Sequence, residues 1–81
     1  MITRKVKVDT IEKVKNFTNE IGKFEVSADL GSIDRRYTVD AKSILGVFSL
    51  DLSRPMRLVI YDDEKNIGEY EELLKKYEWK K

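Results

Sequence analysis

The 81-residue chain contains no cysteine and no histidine. Without cysteine there are no disulfides, no thiolate metal sites and no cysteine nucleophile. Without histidine there is no imidazole ligand, no ordinary general base at neutral pH and no phosphohistidine chemistry. Charge of one sign is also lacking: 16 Lys+Arg against 15 Asp+Glu leave a net charge of +1. Such a balance supplies no whole-molecule field for nucleic acid or anionic membrane, and neither is expected as a partner. Apolar runs are short. Leu58-Val59-Ile60-Tyr61 is typical, far below the roughly 20 residues of a membrane span. The opening Met1-Ile2-Thr3-Arg4-Lys5-Val6-Lys7 alternates and has no apolar h-region, so no signal peptide is read there and a cytoplasmic protein is expected.

What is present is one domain, residues 1–81, with 41% hydrophobic and 38% charged residues. The single proline and four glycines mostly mark boundaries. Thr3–Val8 alternates as a first strand. Asp9-Thr10-Ile11-Glu12 has the form of a capping box, with Asp9 as the acceptor. Ile11, Val14, Phe17 and Ile21 form one helical stripe that Gly22 ends. Phe24–Leu30 alternates as a second strand, Gly31–Arg35 is its turn, and Arg36–Asp40 pairs back as a hairpin. Ser43 opens a short helix in which Ile44, Val47 and Phe48 share a face, while Leu45 and Ser49 fall on another. Gly46 inside that helix costs roughly 1 kcal/mol relative to alanine, which points to a close neighbour. Pro55 stops it, and Met56–Tyr61 is a fourth, central strand. Asp62-Asp63-Glu64-Lys65 is a solvated loop. Asn66-Ile67-Gly68-Glu69 forms a second capping box, and Ile67, Tyr70, Leu73, Leu74 and Tyr77 stripe the last helix. The order β-α-β-β-α-β-α, with alternating strands, predicts an open two-layer α+β sandwich.

Lys42-Ser43-Ile44-Leu45-Gly46-Val47-Phe48-Ser49-Leu50 resembles the short second helix of the HPr family, the small phosphocarriers of the bacterial sugar phosphotransferase system. The length and element order resemble that family along nearly the whole chain. The resemblance implies a four-stranded antiparallel sheet in the order 1-4-2-3 with three helices on one face. HPr proteins carry their phosphoacceptor in a Gly-Ile-His-Ala-Arg-Pro-like loop after the first strand. Here that place holds Val8-Asp9-Thr10-Ile11-Glu12-Lys13-Val14, shorter and without the His, Arg or Pro. The chain therefore looks like a divergent relative, reminiscent of the catabolite-repression HPr-like proteins. Those lack the active His and keep a regulatory serine, which Ser43 matches.

Two readings of Ser43 stand. As an N-cap its hydroxyl accepts a backbone N–H, which is worth about 1 kcal/mol. As the family's regulatory position it would accept a phosphate, favoured at a helix start. Ile44, Leu45, Val47 and Phe48, with Lys42, form the expected partner-binding set. The other reading of these apolar residues is burial in the core. No nucleophile–base pair, phosphate loop or metal-ligand set is found, so no enzyme, cofactor or metal is expected. The expected partner is a protein: an HPr-type kinase, a transcriptional regulator or a metabolic enzyme. The alternative is a structural or assembly domain that retains the HPr fold without signalling.

Overall fold

The computed structural model describes residues 1–80. Its order is β1 (Ile2–Val6), α1 (Ile11–Ile21), β2 (Ala28–Ser32), β3 (Thr38–Asp40), α2 (Ile44–Phe48), β4 (Met56–Ile60), a 3₁₀ helix (Glu64–Tyr70) and α3 (Glu71–Tyr77). The four strands form one antiparallel sheet in the order β1-β4-β2-β3, as the resemblance implies. Strand alternation sends Ile2, Val6, Ala28, Leu30, Met56, Leu58 and Ile60 inward. They meet Val14, Phe17 and Ile21 of α1, Val47 of α2, and Leu73, Leu74 and Tyr77 of α3 in one core. The opposite sheet face carries charge: Lys5 lies opposite Arg57, and Val59 opposite Asp29. Among the described residues no helix is long and apolar enough to cross a membrane.

Several boundaries differ from the sequence expectations, each for a local reason. The α1 cap is Thr10, whose hydroxyl accepts from the Lys13 N–H at 3.1 Å. Asp9 instead pairs with the Lys13 ammonium at 3.1 Å, and this bond holds its carboxyl below the usual value. Ile11 leaves the stripe and is 65% exposed. Thr18 takes the buried place beside Val14, its hydroxyl bonded to the Val14 carbonyl. Phe24–Ser27 alternates half-buried and exposed but forms no strand. The β4 register ends at Ala28↔Ile60; one further bond, from the Tyr61 N–H to the Ser27 carbonyl, follows it, and Phe24–Val26 lie beyond the ladder. Gly31 belongs to β2 rather than to the turn. The Tyr37 carbonyl approaches so closely that a Cβ at Gly31 would lie 2.3 Å from it. The tight turn, with Arg35 at φ 67, shortens β3 to three residues.

The second predicted capping box also moves. Asp63 caps, its carboxylate accepting from the Lys65 N–H, and the chain passes through a 3₁₀ helix before α3. Asp62 serves as a structural acceptor there. It takes bonds from the Tyr70 hydroxyl, the Asn66 amide and the Asp63 N–H, and these hold its carboxyl low. Burial and that bond push the Tyr70 hydroxyl up to about 12. After α3 the chain lies along β1: Lys7 N–H donates to Tyr77 and Trp79 N–H to Lys5. The outer edge of β1 is thereby partly covered.

Glu20 joins α1 to α3, accepting from the Lys76 ammonium and the Tyr77 hydroxyl. Phe17 packs edge-on against the same Tyr77 ring at 5.3 Å. The Lys76 bond first, then the Tyr77 bond, hold the Glu20 carboxyl below its ordinary 4.5. A carboxylate lowered by folding stabilises fully above its unfolded pKa and loses that contribution as pH falls through the folded value. Glu20→Gln is expected to cost about 1 kcal/mol at neutral pH and to flatten the loss of stability below about pH 4.5. Urea unfolding across a pH series reads both effects. Gly31→Ala, forced against the Tyr37 carbonyl, is expected to destabilise by about 1–3 kcal/mol in the same assay.

Candidate functional site

The segment that resembles HPr is built around α2. Ser43 is extended (φ −94, ψ 109) and its hydroxyl accepts from the Gly46 N–H at 3.2 Å, so it starts the helix as an N-cap. The Ser49 hydroxyl donates to the Gly46 carbonyl at the other end. Gly46 is where the helix meets the sheet: a Cβ there would lie 3.3 Å from Val39 Cβ and 3.3 Å from Ser43 Oγ. The expected close neighbour is thus β3 together with the helix's own cap. A five-residue helix pressed down at this point buries only one of its residues, Val47.

The predicted binding set therefore divides. Val47 is fully buried and is corrected to core, because it points to the sheet beneath the helix. Leu45 points away and is 81% exposed, while Ile44 and Phe48 are 36% and 37% exposed. Ser43 is exposed as well. Lys42 does not present its charge freely: its ammonium donates to the Phe24 carbonyl at 2.5 Å, and its N–H donates to Asp40. It ties the entrance of α2 to the chain after α1. The helix itself, Ile44–Phe48, carries no charge.

The loop from β1 to α1 follows the first strand, where the resemblance to HPr proteins implies a phosphoacceptor loop. Val8 is buried there, Asp9 is engaged by Lys13, and Thr10 is spent on the cap. No side chain in it offers a neutral nitrogen nucleophile. Sequence reasoning missed one apolar residue near this loop. Ile11 stands exposed at the start of α1, the helix that packs against α2. Its spacing matches the buried stripe, and only its place on the first, outward-turned helical residue removes it.

No protein-family model and no curated protein matches the chain. Among solved structures it is similar to the crystal structure of HPr-C-His from Thermoanaerobacter tengcongensis. The two are 25% identical with a TM-score of 0.66, over 91% of this chain and 89% of that one. The fold is HPr-like, and the chain is related to the phosphocarrier fold.

Ser43→Ala removes the acceptor for the Gly46 N–H and is expected to lower stability by about 1 kcal/mol. Ser43→Asp, which restores an acceptor, is expected to recover most of it. Thermal unfolding of the two variants measures the difference.

Proposed function

We propose that this chain is an HPr-like protein-binding and regulatory module that does not carry phosphate on histidine. It acts in the cytoplasm, is not an enzyme, and presents the outward face of α2 to a protein partner. The observation that carries this reading is the exposure of Leu45, 81%, on a helix whose other outward residues are Ile44 and Phe48. An aliphatic side chain held in water gains free energy when a partner covers it, at about 25 cal/mol per Å² of apolar area. A rigid helix makes the gain available without reordering the backbone.

Ser43 is the regulatory candidate. Its oxygen accepts from Gly46 N–H and its own hydroxyl proton remains free for transfer. A phosphate there keeps the acceptor role and adds about −2 charge beside the helix start. The partner classes remain those of the resemblance: an HPr-type kinase, a transcriptional regulator that reads the modified serine, or a metabolic enzyme.

Incubation with an HPr-type kinase and ATP is expected to add one phosphate by mass, and Ser43→Ala to abolish the addition. The complete phosphoenolpyruvate relay is expected to add none. Leu45→Glu is expected to leave folding stability within about 0.5 kcal/mol, as for other exposed sites. The same change is expected to weaken binding of the kinase about tenfold or more. An unchanged mass with a competent kinase, together with unaltered binding, would leave the structural-domain alternative.

A further inference from the structure

The sheet face away from the helices has a basic corner. Val6, Val8, Met56 and Leu58 are buried in the core, so strand alternation turns Lys5, Lys7 and Arg57 to the open face. Lys5 lies directly opposite Arg57 in the β1–β4 register, and Gly31 of β2 lies on the other side of Arg57. Like charges directly opposite one another destabilise a sheet. Among the described residues none of these three cations enters an ion pair; the cations that do are Arg4, Lys13, Arg36, Arg54 and Lys76. Asp29, the acid in the next outward row, accepts from the Tyr61 hydroxyl at 2.6 Å instead. Lys5 holds its ammonium 5.9 Å from the centre of the Trp79 ring, whose chain runs along the outer edge of β1.

The second observation is independent of the charge count. Arg57 Nε is buried without a hydrogen-bond partner, the single side-chain nitrogen or oxygen in that state among the described residues. An orphaned buried donor is penalised, because it has lost water and gained nothing in return. The core does not impose this position, since Arg57 lies on the open face and is only half-buried. Gly31 beside it sets no side chain in its way. The guanidinium is therefore free to turn outward, and an acceptor arriving from solvent gives Nε the partner that the chain does not supply.

We infer that the open sheet face binds a doubly charged oxyanion of the phosphate class between Arg57 and Lys5, with Arg57 turned outward to donate through Nε and a terminal nitrogen. The guanidinium fork matches two oxygens of such a group. Lys5 and Arg57, unfavourable neighbours in the free chain, then share one counter-charge, and Lys7 adds to the field from the next outward position. Free phosphate and a phosphate monoester share this chemistry. Trp79, beside Lys5, offers a flat surface to an ester that carries a ring. The site lies on the opposite side of the sheet from α2 and does not depend on the reading of Ser43 and Leu45.

The test uses the full chain labelled with ¹⁵N, titrated with inorganic phosphate, with phenyl phosphate and with chloride at matched ionic strength. Phosphate is expected to shift the Arg57 Nε–Hε resonance and the amides of residues 4–7, 30–31 and 56–58, with a dissociation constant of about 1–10 mM. The amides of α2 are expected to stay unmoved. Phenyl phosphate is expected to act on the same resonances; tighter binding assigns the site to esters, and equal binding to the phosphate group alone, each in support. Arg57→Leu removes both the orphaned donor and the like charge, so the fold is expected to persist, read by unchanged amide dispersion. It is expected to weaken phosphate binding about fivefold or more. Arg57→Lys, which keeps the charge without the fork, is expected to fall between, and Lys5→Met, at an exposed position, to weaken binding as well. No shift up to about 50 mM phosphate, equal shifts with chloride, or undiminished binding in the folded Arg57→Leu or Lys5→Met variant overturns the proposal.

Discussion

The constraint on which the rest depends is the shortness of α2. Five residues give little more than one turn, and the glycine in its middle is pressed onto Val39. That contact fixes the helix orientation. One side chain, Val47, goes down into the core, and Leu45 must go out. A longer helix would have alternated its apolar residues onto a single buried stripe, as α1 does with Val14, Phe17 and Ile21. Here the apolar content of the segment exceeds what the geometry can bury. The surplus is the surface proposed to meet a partner.

The supporting structure holds that surface still. Ser43 and Ser49 close the two ends of the helix with their hydroxyls. Lys42 ties its entrance to the Phe24 carbonyl, and α1 packs against it. In turn α1 is fastened to α3 through Glu20, Lys76 and Tyr77. The place where the HPr family has its phosphoacceptor is occupied by groups already satisfied: a buried valine, a paired aspartate and a capping threonine. Each of these side chains in the first loop thus has a structural partner, and recognition is proposed at α2 instead.

Much of this was legible in the sequence. Periodicity placed the strands and helices in the right order, and the pattern Lys42–Leu50 with the resemblance it carries gave the 1-4-2-3 sheet. The failures are instructive because each is tertiary. Phe24 and Val26 alternate like strand residues, but the neighbouring β4 has already ended. Gly31 reads as turn chemistry, while its actual role is to admit the Tyr37 carbonyl. Asp9 and Asn66 have the chemistry of caps, yet the helices start one residue later and three residues earlier, at Thr10 and Asp63. For the site, the apolar face of α2 was visible, but not which of its residues turns inward. Lys42 read as a surface charge because its partner, a backbone carbonyl 18 residues away, leaves no mark in local sequence. The basic corner of the open sheet face depends on the β1–β4 register that sets Lys5 opposite Arg57, and no local pattern announces it.

Recognition at α2 requires that its outward face be apolar and open to solvent in the folded chain. Paramagnetic relaxation of side-chain methyl signals by a neutral, soluble gadolinium chelate measures this directly. Strong broadening of the Leu45 methyls, intermediate broadening at Ile44 and protection of Val47 in the same helix are expected. Equal protection of Leu45 and Val47 would mean that the helix is covered on both sides, and would contradict it.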